Sequence, residues 1–182
     1  MKALATLLIA AFMMGAPAIA VPLAVDHAHD FDFLIGKWKV HHRHLNGRLV
    51  GSHDWSEFDG TLQLWMTMGG RGTVTDNYIQ SPSGAYRAVG IRGYDPKKQT
   101  WAVWWLDGRD PHEMGSPVIG NFDFHNGAGT FEGPDTNNGK SVITRLSWSK
   151  ITKNSAHWEQ AMSPDGGKTW ETNWYSDFTR VP

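Results

Sequence analysis

The chain has 182 residues, with 17 Lys+Arg against 18 Asp+Glu, a formal net charge of −1 and no cysteine. There is no basic excess to neutralise a phosphate backbone and no charged amphipathic stretch to suit a membrane surface, so neither nucleic acid nor a membrane is an expected partner. Without cysteine there is no disulfide framework, and packing alone must stabilise a domain of this size.

Residues 1–20 read MKALATLLIAAFMMGAPAIA, with Lys2, an apolar run from Ala3 to Gly15, and small residues at Ala18 and Ala20. This three-part pattern predicts an export signal cleaved after Ala20, and hence a periplasmic or secreted protein made of one domain over 21–182. The run is shorter than the roughly 18 apolar residues of a membrane helix, so no insertion is expected once the signal is removed.

Beyond Phe33, period-two segments are cut by turn residues at intervals of about eight to twelve. They predict strands over 37–45, 51–59, 61–68, 72–80, 85–94, 100–106, 117–124, 129–133, 140–150, 156–162 and 169–180. Asn46-Gly47, Asp59-Gly60, Gly69-Gly70, Pro82-Ser83-Gly84, Asp95-Pro96, Asn126-Gly127 and Pro164-Asp165-Gly166 supply the turn chemistry between them. The 10 tryptophans and 20 glycines agree with a strand-and-turn protein. No stretch after the signal repeats its apolar residues at helical spacing. So many short strands must close or stack to protect their edges. The expectation is an all-β, antiparallel up-and-down barrel of about ten strands, with a sandwich as the alternative.

Two motifs refine this. Gly36-Lys37-Trp38 opens the first strand, and with Trp38 inward, alternation places Val40, His42 and His44 inside and Lys39, His41 and Arg43 outside. Gly36 lets the chain turn tightly beneath the floor that Trp38 plugs. Arg180 ends the last strand, which adjoins the first in a closed barrel. A guanidinium on that indole is a contact of about 0.5–2 kcal/mol. The second motif, Ser163-Pro164-Asp165-Gly166-Gly167-Lys168-Thr169-Trp170, matches the Asp-box pattern Ser-x-Asp-x-Gly-x-Thr-Trp. It predicts a rigid turn tied by Asp165, structural and not catalytic.

Gly36-Lys37-Trp38 together with Arg180 resembles the calycin superfamily of lipocalins, fatty-acid-binding proteins and relatives. Phe31–Trp38, Trp55-Ser56-Glu57-Phe58, Gly90–Pro96 and Ser163–Trp174 are similar to a bacterial secreted family of that superfamily whose function is unknown. The resemblance spans residues 30–180. It implies a lipocalin-like barrel and no assigned activity.

For chemistry, His42-Arg43-His44 places two imidazoles on one strand face, with His53 or Glu57 on the next strand as a third group. No His-Glu-x-x-His or paired-cysteine pattern accompanies them, and neither a metal nor a cofactor is expected. His157 is the one position to consider for haem ligation. An arginine beside a desolvated carboxylate or imidazole could hold a carboxylate or phenolate ligand. Trp101, Trp104 and Trp105 crowd one strand, and Leu62, Leu64, Met66 and Met68 suggest an apolar wall. The expected ligand-binding set is His42, His44, Trp55, Glu57, Arg92, Trp104, Arg145 and Trp174. These readings predict interior binding of a small hydrophobic or aromatic molecule. The alternative is a lyase, isomerase or hydrolase acting there on a small carbonyl or phenolic compound. A histidine paired with Glu57 would titrate near neutral pH and gate an acidic ligand.

Overall fold

A computed structural model describes residues 26–182; the expected signal, 1–20, lies outside the described residues. Ten strands follow two single-turn 3-10 helices at His27–His29 and Asp32–Leu34. They are β1 (Gly36–Leu45), β2 (Trp55–Thr67), β3 (Gly72–Ser81), β4 (Gly84–Asp95), β5 (Thr100–Asp107), β6 (Val118–Asp123), β7 (Ala128–Asn137), β8 (Lys140–Ser149), β9 (Ser155–Ser163) and β10 (Glu171–Arg180). Each pairs antiparallel with its sequence neighbours and β10 closes on β1, so the sheet has no free edge. The sandwich alternative is excluded.

One expected turn is absent. Asp59-Gly60 lies inside the continuous strand β2, which replaces the two strands foreseen over 51–59 and 61–68. The reason lies across the barrel wall. A Cβ on Gly60 would sit 2.6 Å from the Tyr78 carbonyl oxygen and 3.0 Å from His42 Nε2. Glycine here makes room for the imidazole; it does not turn the chain.

The closed end is packed solid. The segment 26–35 crosses beneath the strands and inserts Phe31 and Leu34, both fully buried, among Trp38, Trp101, Phe122 and Phe131. Phe31 meets Trp101 and Phe122 edge-on, with ring centroids 5.1 Å apart in each pair. Trp38 Nε1 donates to Leu34 O at 2.8 Å and Trp101 Nε1 to His27 O at 2.6 Å, so both buried indoles satisfy their N–H on this segment. Trp38 is in register with Arg180, whose Cζ lies 4.1 Å from the indole centroid. The same guanidinium donates to the carbonyls of Ile35 (2.6 Å), Lys153 (2.7 Å) and Phe33. It pins the floor segment, the first strand and the last together. Gly36, at φ +112, is the left-handed step that carries the chain from floor segment to strand.

The Ser163–Trp170 segment is the β9–β10 turn at the opposite, open end. Asp165 accepts from Ser163 Oγ, Lys168 N and Thr169 N through Oδ1, and from Thr169 Oγ1 at 2.7 Å through Oδ2. These donors hold its carboxyl down at about 2. Met68, placed in an apolar wall from the sequence, is instead exposed on the short turn Met68–Gly70 at φ 51, because β2 has already ended. Among the described residues no helix is long and apolar enough to cross a membrane.

Candidate functional site

Above the packed floor the barrel opens into a cavity of about 390 Å³. Alternation decides its walls. From β1 and β10 come His42, Trp174, Ser176 and Phe178; from β3 and β4, Asn77, Ile79, Tyr86, Gly90 and Arg92; from β8 and β9, Thr144, Leu146, Trp148, Trp158, Gln160 and Met162. A recess of about 320 Å³ at the rim reaches His44, Phe58 and the β3–β4 turn, and shares Arg48, Tyr86, Arg109 and Trp174.

His42 and His44 face inward as parity requires, but neither has a carboxylate partner. Trp174 Nε1, a donor only, points at His42 Nδ1 from 3.2 Å, with Ser176 Oγ 2.8 Å from the same nitrogen. Nδ1 is therefore the acceptor and Nε2 carries the proton in the neutral ring. Burial is the main cause that pushes His42 down to about 4, assisted by the neighbouring His41. His44 is also lowered to about 4, by burial first and then by Arg48 and Arg109; its Nε2 accepts from Arg48 Nη2 at 2.6 Å. Burial thus favours the neutral form of both rings. With Glu57 on the outer face beside Arg43, the histidine–Glu57 pair expected as a neutral-pH gate does not form.

Glu57 itself is on the outer face, in register with Arg43, whose Nε lies 3.1 Å from Oε1. Parity is the reason: Trp38, Val40 and His42 are inward, so their partners Leu62, Gly60 and Phe58 are inward on β2, and odd-numbered Glu57 is not. Trp55 follows the same rule and packs outside against Tyr175 and Arg43. Arg145 is also external, bonded to Glu132 Oε1 at 2.6 Å and stacked 3.6 Å over Trp170. Trp104 adds atoms to the cavity wall but shares an outer row with Ile91, Val74 and Trp65. Its neighbour Trp105, in register with Gly90, has the inward parity. His157 is external as well, held between Asp177 (2.6 Å) and Glu159 (3.0 Å), which removes it as a haem ligand within the barrel.

The mouth is ringed by charge. Arg109 forms a two-pronged pair with Asp107, at 2.9 and 2.6 Å, and stacks 3.8 Å over Tyr86. Its hydrogen bonds hold the Asp107 carboxyl below its ordinary value, while burial raises the Tyr86 phenol. Asp135 accepts from Thr144 Oγ1 at 2.7 Å. Arg48, His44, Tyr86 and Arg109 were not read as a cluster from the sequence. Arg48 lies in the β1–β2 connection, where no strand parity applies, and only barrel closure brings it to Tyr86.

At the deep end sits Arg92, 7% exposed and in register with Thr73 and Val103. Its Cζ lies 4.8 Å from the Phe31 ring, and Nη1 reaches Thr73 Oγ1 only at 3.5 Å. Its buried Nε has no hydrogen-bond partner among the described residues. Burial alone lowers the group to about 10, so it remains a cation at any physiological pH.

No protein-family model matches the chain, and no curated protein matches it by sequence. Among the solved structures that share its architecture are two neighbours. One is a protein of unknown function of the DUF3598 family from Nostoc punctiforme, 13% identical with a TM-score of 0.51, covering 83% of this chain and 49% of its own. The chain thus spans about half the length of that neighbour. The other is an S-type phycobiliprotein lyase from Guillardia theta, 8% identical with a TM-score of 0.57, covering 87% of this chain and 94% of its own. The shared property is the β-barrel fold. At such identities the likeness is one of fold.

Proposed function

We propose that the protein is exported and binds a small hydrophobic or aromatic molecule inside its barrel. The observation that carries this reading is the 390 Å³ cavity, faced by Trp148, Trp158 and Trp174 and by the apolar side chains Leu62, Val103 and Phe178. That volume lies within the range of small-molecule sites, and a few polar groups set among apolar walls fit the usual pattern of such a site. The lyase neighbour's barrel is consistent with such use, though its own activity does not transfer at 8% identity. Export rests on residues 1–20, and kinship with the secreted bacterial family rests on the four stretches named above. Untargeted mass spectrometry of small molecules released from protein purified out of the periplasm tests the reading. Recovery of one apolar or aromatic species in near-stoichiometric amount supports it. Release of nothing, combined with unquenched tryptophan fluorescence across an aromatic ligand panel, removes it.

The catalytic alternative has one observation in its favour: Ser176 Oγ lies 2.8 Å from His42 Nδ1, and both residues line the cavity. Such contact is the first requirement of an activated hydroxyl. Against it, Trp174 competes for the same nitrogen, and an imidazole lowered to about 4 is a weak base. Binding is therefore the better-supported function. Turnover of 4-nitrophenyl acetate that disappears in Ser176→Ala would reverse that preference.

A further inference from the structure

Among the described residues Arg92 is the one buried arginine or lysine, and three observations bear on what it is for. First, it has no salt-bridge partner among the described residues, and its Nε is an orphaned buried donor. The carboxylate next in chain to Phe31, Asp30, is engaged elsewhere: it accepts from Phe122 N at 3.1 Å and contacts His27 Nδ1 at 2.9 Å. Secondly, no side chain stands at the neighbouring inward position. Gly90 lies there because a Cβ would meet Thr75 Oγ1 at 2.5 Å, and it would be only in ordinary contact, at 3.7 Å, with Arg92 Nη1 and Nη2. The guanidinium therefore has no β4 side chain between it and the space above. Thirdly, Arg92 and Gly90 both line the cavity, so the guanidinium opens on the ligand space and not on a sealed core.

Burying an unpaired charge is strongly unfavourable, and a guanidinium presents two parallel N–H groups shaped for a carboxylate. Stacking on Phe31 offsets part of the desolvation but satisfies no N–H. We propose that Arg92 is the anchor for the acid group of the bound molecule, which enters carboxylate-first and leaves its apolar or aromatic body among Val103, Trp148 and Trp158. This rests on the interior-binding reading and narrows its substrate class to aromatic or aliphatic monocarboxylates. Mouth cations Arg48 and Arg109 then act earlier, drawing an anion to the opening without being its final partner.

A matched pair of probes separates the two readings. 2-Naphthoate and 2-naphthamide have the same shape and differ in charge. Binding of each is followed by quenching of tryptophan fluorescence in the full chain, Arg92→Met and Arg48→Met. The expected result is tenfold or greater preference for naphthoate in the unmodified protein, retained in 0.5 M NaCl because a buried pair is poorly screened. Arg92→Met should abolish that preference by weakening naphthoate while leaving naphthamide within about threefold. Equal affinity for the two probes in the unmodified protein overturns the anchor but leaves interior binding standing. So does a preference that persists in Arg92→Met and is lost in Arg48→Met. Binding of neither probe overturns the anchor as stated, and interior binding is then decided by the released-ligand and panel test above. The salt test uses the unmodified protein alone, so the proposal stays open to refutation even if a variant misfolds; a preference lost in 0.5 M NaCl overturns it.

Discussion

Two arginines near the closed end of the barrel each lie against an aromatic ring, and they differ in everything else. Arg180 stacks on Trp38 and donates to three backbone carbonyls. Arg92 lies over Phe31 from the inside, with a single long contact to Thr73 and an orphaned Nε. The first is a satisfied group that ties three chain segments together. The second is a desolvated charge retained where an apolar side chain would pack better, which is the mark of a group kept for a ligand. A side chain's own identity and its neighbouring ring say little about its role. The count of satisfied donors says more.

The comparison can be broken at several points. The floor should give the largest loss: Trp38→Ala is expected to destabilise by about 3–5 kcal/mol in denaturant unfolding, as truncation of a buried aromatic leaves a cavity. His42 gives the next largest effect, through pH. Its folded pKa is depressed to about 4 against an ordinary 6.5, so the unfolded chain binds the proton more readily and stability falls as pH drops from 6.5 to 4. The full shift corresponds to roughly 3 kcal/mol, and His42→Gln should flatten that part of the stability curve measured by chemical unfolding at stepped pH.

Arg92→Met should have the opposite sign to the floor mutations. Removing an unpaired buried cation is expected to stabilise the ligand-free protein by about 1–4 kcal/mol, read as a higher midpoint in urea. A destabilised variant would mean that Arg92 is structural after all and would erase the contrast with Arg180. Arg180→Ala should cost about 1–3 kcal/mol, with the Trp38→Ala, Arg180→Ala double variant less destabilised than the sum because the two groups touch. The smallest effect belongs to the external pairs. Glu57→Gln should change stability by no more than about 0.5 kcal/mol and leave probe affinity unaltered, since the Arg43 contact is solvent-exposed on both sides.

The sequence alone determined the class of fold and its closed end. Period-two patterning between turn residues specifies antiparallel strands, and the Gly36–Trp38 motif fixes which face of β1 is inward; both are local properties of the chain. Inward placement of His42 and His44 follows from the same parity. The sequence could not determine register between strands. Parity runs unbroken along a strand only until a bulge, such as the one between Thr172 and Trp174 in β10, and transferring it to the next strand depends on where the hairpin turns; Asp59-Gly60 reads as a turn while serving as the gap that admits the His42 ring. Glu57 and Trp55 are outward because the 46–54 connection pairs them with Arg43 and Leu45, and Trp104 and Arg145 are outward by the registers of their own strands. Closure of ten strands then brought Arg48 to the mouth beside Tyr86 and carried Phe31 beneath Arg92, contacts between residues far apart in the chain. Whether a buried charge has a partner is decided by every strand around it at once, so Arg92's lack of one is a property of the tertiary structure only.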